Sequence, residues 1–224
     1  MKHHNLHTMT LLTKVRRAGF TLIELLVVVG VIVVISGVML ANTNKFGGQT
    51  LLQNLAYDIA LSIRQAQVYG ISIKNIGTSQ AATPAYGMYF TMAIPTQFYI
   101  FADTKSADGS AVPDGAYDAT RGENVSPPYM ITRGFKIAKI CKTDASGEVC
   151  SSDPATTLTI LFVHPEPDAQ IDPTCIIRTE AVGQYSEKCT TNYSTARVVL
   201  ASPRGDYMSV VVYANGQISV NNSN

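Results

Sequence analysis

Residues 20–40 form an unbroken apolar run whose single ionisable side chain is Glu24, and Arg16 and Arg17 stand directly before it. An α-helix rises about 1.5 Å per residue, and about 20 apolar residues cross the hydrocarbon core of a bilayer. The run therefore reads as a membrane-spanning helix. Paired arginines on its N-terminal side hold that end in the cytoplasm and send everything beyond Leu40 outward. An ordinary secretory signal has a shorter apolar core followed by a small-residue cleavage site. Here the small residue, Gly19, precedes the run.

Glu24 is the anomaly in this segment. A carboxylate inside a membrane helix costs about 2.5–3.5 kcal/mol even on the lenient insertion scale, so it needs a cationic partner. Cleavage after Gly19 places a new α-amino group on Phe20, one helical turn from Glu24, and supplies that cation in the same molecule or in a neighbour. A glutamate aimed at another chain's terminus turns the cost into a device that sets register, a role buried polar groups have elsewhere. The competing account is a glutamate near the membrane edge that reaches the headgroups.

The stretch Arg17-Ala18-Gly19-Phe20-Thr21-Leu22-Ile23-Glu24-Leu25-Leu26-Val27-Val28 resembles the class III signal of type IV pilins and type II secretion pseudopilins. The resemblance implies that a prepilin peptidase cuts after Gly19 and that Phe20 is N-methylated. It also implies that Glu24 aids assembly with other pilin or pseudopilin subunits. Many major pilins carry a kinking proline near the end of the apolar segment. This chain has none before Pro84, which favours a minor or pseudopilin-like subunit.

The charge balance fits an exported subunit better than a nucleic-acid binder. Of the 17 basic residues, Lys2, Lys14, Arg16 and Arg17 precede Gly19, leaving 13 against 16 acidic ones beyond it. A surface that neutralises phosphates needs a basic excess. The four cysteines, Cys141, Cys150, Cys175 and Cys189, all lie downstream of the export segment and none forms a C-x-x-C pair. An even count in that setting reads as disulfides in an oxidising compartment. Of the three connectivities, the local pairs Cys141 with Cys150 and Cys175 with Cys189 are favoured. Each closes a small loop worth roughly 3 kcal/mol.

Beyond a polar break at 42–49, Leu52, Leu55, Ala56, Ile59, Ile63 and Ala66 recur at three- and four-residue steps, the stripe of an amphipathic helix. The helix is expected to end at about Gly70, acting as a C-terminal cap. Gly47-Gly48 is expected to weaken the junction, since two glycines cost about 2 kcal/mol relative to alanine. Residues 86–94, 97–102, 130–140, 158–164, 196–201, 207–213 and 217–220 are rich in β-branched and aromatic types and bounded by turn formers, as strands are. Asn215-Gly216 predicts a type I′ hairpin, with both residues at positive φ. Pro203-Arg204-Gly205-Asp206 predicts a second turn.

The expected fold is α+β, a long N-terminal helix packed on an antiparallel β-domain. Its parts are a leader (1–19), a transmembrane helix (20–41), an amphipathic continuation (42–70) and an exported β-rich domain (71–224). The helix at 51–75 and the closing strands at 198–200, 210–212 and 215–220 resemble those of H-type minor pseudopilins and FimT-like pilus subunits. The chain is expected in the inner membrane as a single-pass protein and then in a periplasmic or cell-surface filament. The competing class is an uncleaved single-pass protein whose β-domain binds a ligand.

Little else suggests chemistry. Asp103, Asp108, Asp114, Asp118 and Glu123 sit in a glycine-containing segment where carboxylates could wrap a calcium ion, which takes six to eight oxygens. Their spacing departs from the EF-hand pattern, so a solvated loop is favoured and no metal or cofactor is expected. Arg133, Lys136, Lys139 and Lys142 form one basic cluster, which strand alternation would divide between two faces. Arg204-Gly205-Asp206 is accounted for as a turn. His164 is the one histidine beyond the leader, and no nucleophile has a recognisable base beside it, so an enzyme is not expected.

Overall fold

The computed structural model describes residues 19–72, 85–104, 114–181 and 184–222, with 41–47 and 174–189 described by backbone alone. The chain divides into two compact units, Met1–Asn44 and Lys45–Asn224, each taken here by itself. Helix α1 (Leu22–Ile71) begins in the first and ends in the second.

In the first unit every described helical side chain is exposed. The segment Leu22–Leu40 has a mean hydropathy of 2.8, and none of it is buried among the described residues. In the second unit the helical backbone runs on through Gly47 and Gly48, where the sequence predicted a weak junction. There the apolar stripe is buried: Leu52, Ala56, Ile59, Ile63 and Ala66 are in the core, and Leu55 is partly covered. Gly70 lies within the helix instead of capping it. A Cβ there would stand 2.7 Å from the Phe162 carbonyl oxygen, so its glycine serves a close approach of helix to strand.

Twelve strands are formed among the described residues: β1 (Ala85–Thr91), β2 (Gln97–Asp103), β3 (Tyr129–Met130), β4 (Lys136–Asp144), β5 (Gly147–Ser151), β6 (Thr157–Phe162), β7 (Ala169–Ile171), β8 (Thr174–Ala181), β9 (Gln184–Thr190), β10 (Thr195–Ala201), β11 (Tyr207–Tyr213) and β12 (Ile218–Asn222). One sheet has the order β3-β2-β1-β6-β7, a second β12-β11-β10-β4-β5, and β8-β9 is a separate hairpin. All recorded pairings are antiparallel. Side-chain alternation sends Met88 and Phe90, Phe98 and Ile100, Leu158 and Ile160 inward from the first sheet. Val198 and Leu200, Val210 and Val212 point inward from the second, and both sets join the helix stripe in a single core.

The expected strand 130–140 is two strands. Arg133 (φ 60°) and Gly134 (φ 75°) turn the chain between β3 and β4, a conformation no strand contains. The closing hairpin also differs from expectation. Only Gly216 has positive φ (78°), Gly216 N–H donates to the Tyr213 carbonyl at 2.9 Å, and Tyr213 N–H donates to the Gln217 carbonyl at 2.9 Å. That is a three-residue loop closed by a left-handed glycine, in which Asn215 contributes its side chain, accepting from Gln217 N–H at 3.0 Å. No other residue fits at 216, because a Cβ would meet the Pro167 carbonyl oxygen at 2.2 Å. The β10–β11 connection repeats the device, with Gly205 (φ 89°) donating to the Ser202 carbonyl at 3.1 Å.

Candidate functional site

The start of α1 carries the residues that the sequence marked. Phe20 is in the open, at 80 % exposure, and Gly19 precedes it outside the helix. Thr21 opens the helix: its Oγ1 accepts from the Glu24 N–H at 3.3 Å and its carbonyl accepts from the Leu25 N–H at 3.2 Å. Thr21 with Glu24 three residues on is the Thr-x-x-Glu pattern of a capping box, and a carboxylate in the first turn also complements the positive end of the helix dipole. The Thr21 bond is to the Glu24 backbone N–H, and it leaves the carboxylate available to a cation on the same chain or a neighbour. The Thr21–Glu24 spacing is itself the sequence signal for this cap.

The acidic segment organises a strap between β2 and β3. Asp103 is wholly buried, and its two carboxylate oxygens accept from the backbone N–H groups of Asp114 (3.2 Å) and Gly115 (2.5 Å). Glu123 is also buried; its Oε2 accepts from the Asp118 N–H at 2.8 Å, while Oε1 has no hydrogen-bond partner. Arg121 bridges Asp114 (2.7 Å) and Asp118 (3.1 Å). Asp118 further caps a short 3-10 turn through the Thr120 N–H at 2.8 Å. Burial pushes the Asp103 carboxyl up to about 8 against the opposing pull of its amide donors, and burial pushes Glu123 up to about 7. Asp103, Asp114 and Asp118 are therefore engaged by backbone amides or Arg121 while Glu123 keeps one oxygen without a partner, and among the described residues no three of these carboxylates converge on one point. Asp108 lies outside the described residues.

Cys141 and Cys150 are directly opposed in β4 and β5 and are joined as a disulfide with an S–S distance of 1.96 Å. The Arg197 guanidinium lies over both sulfurs, at 3.7 and 3.8 Å, and is anchored on Glu148, with Nε donating to Oε1 at 2.9 Å. Cys141, Glu148 and Cys150 come together, yet the sulfurs are bonded to each other, so the group offers only a carboxylate to a metal. The backbones of Cys175 and Cys189 are register partners in the β8–β9 hairpin.

The basic cluster disperses. Arg133 sits in the turn, Lys136 and Lys139 are exposed, and Lys142 pairs with Asp172. His164 is exposed and caps the far end of α1, its Nδ1 standing 3.0 Å from the Ile71 carbonyl oxygen.

A capped apolar helix that is exposed among the described residues, with antiparallel sheets packed on the stripe of its continuation, is a pilin-like α+β fold. Residues 14–40 match the prokaryotic N-terminal methylation motif, which supports a type IV pilin-like family. The motif implies processing by a prepilin peptidase and assembly with other pilin subunits, and proteins that carry it are structural subunits. No curated protein and no solved structure matches the chain.

Proposed function

We propose that the chain is a minor structural subunit of a type IV pilus or a type II secretion pseudopilus, without enzymatic activity. Prepilin peptidase removes residues 1–19, Phe20 becomes the methylated N-terminus, and residues 20–41 hold the chain in the inner membrane with the β-domain exported. Extraction into a filament then exchanges lipid for the apolar helices of neighbouring subunits. The observation that carries this is the bare Leu22–Leu40 surface, coupled to Glu24 inside the matched motif.

Two further features support it. Cross-strand disulfides suit an exported domain, and the opposed Cys175 and Cys189 are proposed as a second one. The lack of proline before Pro84 and the resemblance of 51–75 favour an H-type minor subunit.

The test is Glu24→Ala in the host, scored by the sheared-filament fraction or, for a pseudopilus, by cross-linking to neighbouring subunits. The variant is expected to be processed and membrane-held yet missing from the assembled fraction. Wild-type incorporation of Glu24→Ala would contradict the assembly role.

A further inference from the structure

A groove of about 610 Å³ opens in the Lys45–Asn224 unit between α1 and the β11–β12 edge. Small ligands are held in cavities of about 300–1,000 Å³. One wall is a row at four-residue spacing on α1, Gln49, Gln53 and Tyr57, which a helix places one above another. The opposite wall is Asp206 and Tyr207, entering β11, and Asn222 at the end of β12. Leu52, Met208 and Val220 make an apolar floor.

The walls are open for business with a ligand's hydroxyl groups. Tyr57 is 50 % and Tyr207 43 % exposed, so both rings are accessible from the groove. Among the described residues, the side-chain polar groups of Gln49, Gln53, Tyr57, Tyr207 and Asn222 have no hydrogen-bond or ion-pair partner. Asp206 is the one charged lining residue, and its carboxylate accepts from the Ser202 Oγ at 3.1 Å.

We propose that this groove binds a neutral oligosaccharide. Each carboxamide offers a donor and an acceptor on one arm, matching the dual character of a sugar hydroxyl. The two tyrosine rings and the apolar floor present electron-rich or apolar faces to the C–H side of a pyranose. An anionic ligand would meet a carboxylate and no unpaired cation. A peptide added as a strand to the β12 edge would require side-chain pockets at alternate positions, whereas the groove has one apolar patch framed by amides. The site is independent of the filament-subunit reading.

The experiment uses the full-length chain in phosphatidylcholine nanodiscs, which carry no sugar headgroup. Saturation-transfer NMR is run with maltotriose, cellotriose, tri-N-acetylchitotriose and, as the anionic counterpart, trigalacturonate. At least one neutral trisaccharide is expected to saturate, with affinity at least about tenfold weaker in Tyr57→Ala and Tyr207→Ala. Gln65→Ala, on the exposed flank of α1 away from the groove, is expected to leave binding unchanged. Gln53→Ala, at an exposed position on the groove wall outside the core, is expected to weaken it as well. Absence of saturation by every neutral trisaccharide up to about 10 mM overturns the proposal. So does tighter binding of trigalacturonate, or unchanged affinity in the Tyr57, Tyr207 and Gln53 variants.

Discussion

The two stretches of α1 are made of the same kind of residue and differ in what surrounds them. From Leu22 to Leu40 the helix is apolar on all sides and wholly uncovered, whereas from Leu52 to Ala66 its apolar residues lie on one face and are buried under two sheets. A helix that is apolar all round belongs in lipid or among other apolar helices, while a one-sided helix has found its partner within its own chain. The stability of the β-domain should therefore be indifferent to the first stretch. Processing and assembly should depend on it completely.

The largest expected effect falls on processing. Gly19→Val is expected to abolish leader removal, read as full retention of residues 1–19 by immunoblot mobility, with the melting of the β-domain unchanged. Next comes the buried face of the second stretch. Ile59 and Ile63 are completely buried, so Ile63→Ala is expected to destabilise the domain by about 2–5 kcal/mol in denaturant melts. Ile32→Ala, on the bare stretch, is expected to leave that melt in place. A shift from Ile32→Ala as large as that from Ile63→Ala would dissolve the contrast.

Smaller effects come from the strap carboxylates, which belong to the β-domain alone. Asp103 and Glu123 have folded-state pKa values of about 8 and about 7, raised by burial above those of an unfolded chain. The folded state therefore holds protons that the unfolded state releases. Their contribution is complete below the ordinary carboxylate range, shrinks as pH rises, and is lost as pH passes about 7 for Glu123 and about 8 for Asp103. The melting temperature is expected to fall between pH 5 and pH 8.5, and Glu123→Gln to flatten that slope by an amount of order 1–3 kcal/mol. An unchanged pH profile in Glu123→Gln would remove Glu123 from the account. Smallest of all, Thr21→Ala is expected to cost about 1 kcal/mol of helix stability at the N-terminus, seen as faster amide exchange over the first turn in nanodiscs. Protection equal to wild type there would exclude the cap.

Much of this division was legible in the residues. The apolar run with Glu24, the stripe from Leu52 to Ala66 and the turn at Pro203 to Asp206 follow from hydropathy, periodicity and turn chemistry. Strands with a buried face also announced themselves. Strand β5 did not, because Gly147, Glu148 and Cys150 show no apolar alternation, and the strand is tied to β4 by a disulfide and by the Arg197–Glu148 pair. The break at Arg133-Gly134 was hidden inside a run of β-forming residues. The acidic segment illustrates a firmer limit. A carboxylate that accepts backbone N–H groups and one that faces a cation have the same sequence, and only the fold reveals that Asp103 and Glu123 are turned inward.

The exposed stretch of α1 is expected to be a processed assembly helix. Intact mass spectrometry of the protein taken from membranes of a host with an active prepilin peptidase tests it most directly. A mature chain that begins at Phe20 and carries one additional methyl group is the predicted result. A chain that keeps residues 1–19, with Phe20 unmodified, would contradict it.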